Sequence, residues 1–438
     1  MNLYKALTCL SIAAPVFAQY AGPAILSRGE APAAMSAPQI DFRPFLTVTG
    51  TYDTGLAGVS VNSQGQLASS SSYGMQYTGG VSGIHSWKHT KLSLNYVGAY
   101  NQYLQNTFYD SSNQSLALGL YHQFSRRFAL NLRESAGMFS QNYTTLGLAQ
   151  TVPFDSSQSY LPVTDFYDNR TIYSTTQADV IYQKNARLSF DFGGDEFINR
   201  RRSAALYSAS GQSARADVQY RLTRRTSVGA QYNYTRYVYR NILGSTDAHS
   251  SVVTLSTRLS HWWEFSAFGG VTRVENRFEQ EVALDPAVAA LLGYATAPQL
   301  LYKVSYVPTF SARLSRTFHR GVFWVSGARA VTPGNGLFLT STMITAGSGY
   351  TYTGLRRWSF TGQVFYERGD SLGNLVGTYG DISGGLSLSR QIVKSLSFVA
   401  GADVRRYQSP TYTQYNRDVY DAHIGLGWSP GAIPLRLW

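Results

Sequence analysis

Histidines, carboxylates and hydroxyls that could share protons are present in this chain, but their spacing builds no catalytic motif. The seven histidines, His85, His89, His122, His249, His261, His319 and His423, are scattered along 438 residues. His85 and His89 stand four apart, as zinc ligands on a helix do, yet no Glu lies between them and the segment reads as strand and turn. Asp421 and His423 are two apart, which puts both on one face of a strand. A serine from a neighbouring strand would complete a Ser–His–Asp arrangement, because triads are spatial. The plainer reading is a pair of polar groups on a water-facing wall. Asp155, Asp165 and Asp168 form a loose acidic set without the EF-hand spacing. Ser383-Gly384-Gly385 suits a strand bend better than a phosphate loop. The only cysteine is Cys9, so a chain processed beyond it has no thiol nucleophile, disulfide or thiolate metal site. No catalytic, cofactor or metal residue is assigned, and no enzyme is expected.

The elements that would hold these residues are strands. Charged residues are only 14% of the chain, while Tyr (32), Phe (22) and Gly (40) are abundant. Mean hydropathy is −0.18, yet so few charges cannot coat a soluble surface of this size. Disordered chains, coiled coils and transmembrane helix bundles are excluded, since no apolar run approaches helix-spanning length. Period-2 alternation recurs from about Phe42 to the end. Leu92, Leu94, Tyr96, Gly98 and Tyr100 alternate with Ser93, Asn95 and Asn101. Leu188, Phe190 and Phe192 alternate with Arg187, Ser189 and Asp191, and the same pattern recurs at 218–222, 396–403 and 420–428.

Residues 1–18 read as a signal peptide, with Lys5 in the n-region, an apolar Ala6–Phe17 stretch and cleavage near Ala18. Residues 19–41 read as a flexible periplasmic leader and 42–438 as the folded unit. Short basic turns recur at Trp87-Lys88-His89, Ser125-Arg126-Arg127, 184–187, Thr223-Arg224-Arg225, Ser260-His261-Trp262, 315–320, Arg356-Arg357 and 390–394. Their spacing is roughly 40 residues, the length of one hairpin with a longer loop at its far end. A propeller blade has a similar period, but no Trp-Asp or Gly-His signature is present. Longer polar stretches lie between, at 55–72, 141–170, 199–212 and 275–301. Counting hairpins predicts about 18 strands, with 16 as the alternative.

The chain ends Ile433-Pro434-Leu435-Arg436-Leu437-Trp438. A terminal aromatic after an alternating strand resembles the C-terminal signature of bacterial outer-membrane β-barrel proteins, although Ser429-Pro430-Gly431 interrupts it. With the signal peptide and the alternation, residues 42–438 resemble an all-β, transmembrane, antiparallel up-and-down β-barrel of porin-like size. No motif names a particular porin family. The resemblance implies an outer-membrane location and recognition by the barrel assembly machinery.

Barrel physics then sorts the side chains. Lipid-facing aromatics at the interfaces should include Trp87, Trp262, Trp263, Trp324, Trp358, Tyr96, Tyr234 and Tyr366. The opposite faces should line the lumen with Arg133, Asp191, Asp195, Arg215, Asp217, Arg221, Arg258, Glu264, Lys303, Arg313, Arg329, Glu367, Asp381, Asp403, Arg405, Asp421 and His423. Mixed signs argue against a one-signed anion filter. The formal charge is +12, and 31 of the 37 basic residues are Arg. Arg200, Arg201, Arg202, Arg236 and Arg240, with Arg273 and Arg277, sit at loop bases where lipopolysaccharide phosphates would meet them; solvated loop charge is the alternative. No nucleic-acid partner is expected. Asp285-Pro286 followed by Ala287–Leu292 predicts a short capped apolar helix, which should pack at the lumen mouth, on other loops or on another protomer. Function reads as a channel for small polar solutes, passive or weakly selective. An exopolysaccharide exporter and a structural barrel with a blocked lumen are the alternatives.

Overall fold

The structure is a computed structural model that describes residues 40–430, apart from 62–66, 105–109, 140–170, 203–205, 241–243, 335–338, 373–376 and positions 284, 353, 356, 411–412 and 414–415. The expected signal peptide, nearly all of the leader, the terminal Ile433–Trp438 and the set Asp155, Asp165 and Asp168 lie outside the described residues.

Eighteen strands form a single sheet. The first six are β1 (Ile40–Val61), β2 (Leu67–Ser86), β3 (Thr90–Tyr103), β4 (Ser111–Gln123), β5 (Phe128–Phe139) and β6 (Thr171–Gln183). They continue as β7 (Leu188–Arg201), β8 (Ala209–Arg221), β9 (Thr226–Tyr239), β10 (Gly244–Arg258), β11 (Trp263–Ala283) and β12 (Thr296–Phe318). The last six are β13 (Gly321–Thr332), β14 (Ser341–Tyr352), β15 (Trp358–Ser371), β16 (Thr378–Val393), β17 (Leu396–Gln408) and β18 (Arg417–Trp428). Each strand pairs antiparallel with the next, and β1 pairs with β18, so the sheet closes without a free side. Closure is what a membrane demands, since lipid offers no partner for an unpaired backbone group.

The short turns have a local cause. Ser125, Asn185, Thr223 and Ser260 each open a turn, and each side-chain oxygen accepts the backbone N–H groups two and three residues on. Such side-chain turns reverse the chain in a few residues. All eight short connections expected from the sequence lie at one rim.

Burial alternates along the strands. In β6, Thr171, Tyr173, Thr175, Gln177 and Asp179 are buried, whereas Ile172, Thr176 and Ala178 are exposed. Bonds between strands two apart identify the concave face. Tyr103 of β3 donates to Asp53 of β1 at 3.3 Å, and Ser115 of β4 meets Tyr173 of β6 at 3.3 Å. The convex face carries Leu132, Phe192, Val218, Val253, Val271, Val364, Leu386 and Ile424, all exposed as lipid-facing residues must be. Among the described residues no helix is long and apolar enough to cross a membrane.

Two expectations change. Parts of the longer polar stretches are strand: β1 runs to Val61, β2 starts at Leu67, and β8 starts at Ala209. Residues 275–301 form the end of a β11–β12 hairpin whose pairing continues to Ala283 and Thr296. The short helix α1 (Pro286–Leu292) caps that hairpin, with Asp285 accepting from Ala287 N at 2.8 Å. Its start follows the sequence signal, and Leu291 is 86% exposed, so among the described residues this side chain has no packing partner. The hairpin carries α1 away from the wall, because β10 ends level with Phe278.

Candidate functional site

The concave wall is the site, and three sectors of it differ. The first spans β5 to β8. Arg215 of β8 forms an ion pair with Asp179 of β6, crossing the strand between them. It can cross because the intervening residue is Gly193: a Cβ there would clash with the Asp179 carboxylate. Asp179 also accepts from Gln177 Nε2 at 3.1 Å. Asp195 accepts from Ser213 Oγ, and Asp191 lies directly opposite Asp217. Gln219 then ties Asp217 to Thr254 of β10.

The second sector spans β17, β18 and β1. Register places Asp403, Asp421 and Asp53 side by side on three consecutive strands. Asp53 is held by Gly55 N at 2.6 Å and the Tyr103 hydroxyl, while Asp421 faces His423 Nδ1 at 3.4 Å. Arg405, on the strand of Asp403, turns instead to Asp381 of β16 at 3.4 Å and donates to the Tyr407 hydroxyl. Ligand atoms of Asp403, Asp421 and His423 lie within 4.8 Å of one another, close enough to meet one cation. No serine hydroxyl bonds to His423 among the described residues, so the geometry of the Asp421–His423 pair is that of a polar wall contact.

The third sector lies toward the rim opposite the short turns. Phe197, Ala209, Tyr237, Tyr239, Val274, Val307 and Val331 form an apolar cluster on the concave side of β7–β13, covered by Leu339 and Leu372. Thr340 bonds to Tyr239 and Thr246. Leu372 N donates to Thr340 O at 2.9 Å, and Asn276 Nδ2 donates to Leu372 O. Leu339 and Thr340 ahead of β14 and Leu372 after β15 therefore lie against the inner wall.

Register sorts the residues expected from the sequence. Arg133, Asp191, Asp195, Arg215, Asp217, Arg221, Arg258, Glu264, Arg313, Glu367, Asp381, Asp403, Arg405, Asp421 and His423 share the face of the buried wall residues. Lys303 has the same parity but stands exposed where β12 has lost β13 as a neighbour. Arg329 is a correction. It lies opposite Phe310 and Ile344 on the lipid side. Trp324, expected in a girdle, is its counterpart: it faces inward, packed over Gly349, 5.5 Å from Phe365 and 5.6 Å from the Arg313 guanidinium. The run Val322-Phe323-Trp324-Val325 is apolar on both faces, so alternation alone gives it no parity. Arg201 is the other correction. It is buried on the inner side, and its Nη1 donates to Tyr207 O. Arg200, Arg202, Arg236 and Arg240 are exposed. Asp53, Asp179 and Arg417 were missed; Asp179 was readable from the alternation Thr175-Gln177-Asp179.

The sequence matches no family model and no curated protein. Fold comparison finds the outer membrane protein OpdK from Pseudomonas aeruginosa, 10% identical, covering 90% of this chain and 100% of that one at a TM-score of 0.40. A BenF-like porin from Pseudomonas fluorescens is 10% identical, with coverage of 89% and 99% and a TM-score of 0.42. Pseudomonas aeruginosa OpdL is 13% identical, with coverage of 91% and 99% and a TM-score of 0.38. The strand count and closure stand on this chain's own pairing.

Proposed function

We propose that this chain, closed, antiparallel and 18-stranded with its apolar side chains outward, is a porin-like outer-membrane channel for small polar solutes with a weak preference for cations. A barrel of this strand number encloses an aqueous lumen. The observation that carries the preference is the charge of the inner wall. Arg201 stands at the end of the wall opposite the short turns. Arg43, Lys91, Arg221 and Arg258 gather near the short-turn rim, where Glu264 pairs with Arg258. Above them stand the carboxylates of Asp53, Asp179, Asp191, Asp195, Asp217, Glu367, Asp381, Asp403 and Asp421, against the guanidiniums of Arg133, Arg215, Arg313, Arg405 and Arg417. The carboxylate excess belongs to this middle band alone, since the wall from rim to rim is close to charge balance. Negative walls concentrate cations.

Purified protein in a planar bilayer should give discrete conductance steps, and a salt gradient should give a reversal potential of cation-selective sign. An anion-selective potential overturns the preference. Absence of steps from folded protein favours a structural barrel. The inward Trp324–Phe365 pair beside Arg313 supports a second reading, passage of a saccharide, which predicts that oligosaccharides interrupt the current.

A further inference from the structure

Arginines on the convex face have different partners at the two rims. At the short-turn rim, Arg316 lies over Trp263 at 5.0 Å and Phe318 at 4.5 Å, and Arg390 over Trp358 at 5.0 Å. A guanidinium on an aromatic face is satisfied by its own wall. Near the outer rim the convex face carries Arg236 on β9, Arg273 and Arg277 on β11, Arg329 on β13, Arg368 on β15 and Arg406 on β17. Their partners are mainly carboxylates, as in Arg368–Asp370 at 3.3 Å and Arg406–Asp418 at 3.7 Å. Aromatic contact near the short-turn rim and ionic pairing near the opposite one is a difference the strand pattern does not require.

The outer groups are densest across β9–β12. Asp247 lies 3.9 Å from Arg236 Nε and 4.0 Å from Arg277 Nη2, and accepts from the Tyr234 hydroxyl at 2.7 Å. Glu275 pairs with Arg273, lies 3.9 Å from Arg277, and accepts from the Tyr302 hydroxyl at 2.9 Å. Arg277 also sits 5.7 Å from the Tyr302 ring. Three guanidiniums thus surround two carboxylates that already have tyrosine donors, with Glu279 two residues beyond Arg277 on the same face. The pairs at 3.9–4.0 Å are too loose to be hydrogen bonds. Each guanidinium has five N–H donors, and among the described residues few of those here are taken up. The side chains of Arg236, Arg273 and Arg277 are 53%, 43% and 48% exposed on a face that, further down the same strands, presents Val253 and Val271 to lipid. A charge on this face is cheap only near the interface, at headgroup height.

We propose that the convex surface of β9–β12 binds a phosphorylated lipid headgroup of the outer leaflet. Arg236, Arg273 and Arg277 supply its phosphate contacts. Phosphate is the anionic acceptor that matches a guanidinium fork, and the site faces the bilayer, so the phosphate arrives on a lipid. The inference is independent of whether the lumen conducts.

The experiment follows heat-induced loss of the compact gel form of detergent-purified protein, titrated with a phosphorylated bacterial glycolipid, its enzymatically dephosphorylated form, or inorganic phosphate. The phosphorylated glycolipid should raise the transition temperature and the dephosphorylated form should not. The triple variant Arg236→Gln/Arg273→Gln/Arg277→Gln should need about tenfold more lipid or worse, while Arg316→Gln/Arg390→Gln responds as the parent does. Equal stabilisation by both glycolipids, or an unaltered response of the triple variant, overturns the proposal. Stabilisation by inorganic phosphate at comparable concentration overturns the lipid as the source. If the triple variant does not fold, the two glycolipids are compared on the unaltered protein by native mass spectrometry, where retention of both alike is equally fatal.

Discussion

The arc from β6 to β8 and the arc from β17 through β18 to β1 hold similar residues and organise them in opposite ways. In the first, Gly193 opens a gap through which Arg215 reaches Asp179 two strands away. In the second, three aspartates stand side by side, and Arg405, the nearest guanidinium on their strands, is drawn off to Asp381. Like charges directly opposite each other on neighbouring strands are destabilising. Composition therefore says little about the wall. A single glycine and the register decide whether the charges brace the barrel or are left to face the lumen.

The comparison breaks first at Arg215. Its side chain is 12% exposed and that of Asp179 is 4% exposed, so Arg215→Leu strands a buried carboxylate and should cost about 3–5 kcal/mol, read from denaturant unfolding in detergent. Adding Asp179→Asn should recover much of the loss. If Arg215→Leu alone is silent, the first arc is no brace. Gly193→Val comes next. Its side chain occupies the path of the ion pair, and an overpacked variant of this kind should lose about 1–3 kcal/mol. Coupling to Arg215→Leu tests the mechanism: with the arginine already gone, the valine should cost less. The smallest effect has the opposite sign. Asp421→Asn removes the middle member of the acidic row and should be neutral or stabilising by about 0.2–1 kcal/mol, while shifting the reversal potential toward zero. A clear destabilisation there would mean that a bound cation, and not open solvent, balances the row.

Much of this architecture is legible in the sequence, for physical reasons. Two-residue periodicity reports which face a side chain takes, and side-chain-capped turns such as Ser125 and Thr223 announce the short connections. Parity was unreadable where both faces are apolar, as at Phe323 and Trp324, and where a strand outlasts its loop signal, as at Arg201. Burial depth was unreadable too. Ser189 has the expected inward parity, yet it is 1% exposed; an arginine there, which the pattern alone would tolerate, has no room. The inward contact of Thr340 could not be read from local pattern, because its partner Thr246 is 94 positions away. Nothing local to either residue encodes that contact.

The β11–β12 hairpin separates the barrel's closure from its outermost surface. Beyond Phe278 and Leu301, five further residue pairs, Glu279–Leu300 through Ala283–Thr296, have no neighbour in β10. Chain added, trimmed or cut around Gly293, whose φ of 70° already marks a bend, disturbs none of the eighteen-strand ring beneath it. Among the described residues, the segment least tied to the ring is thus the one whose sequence can drift most freely.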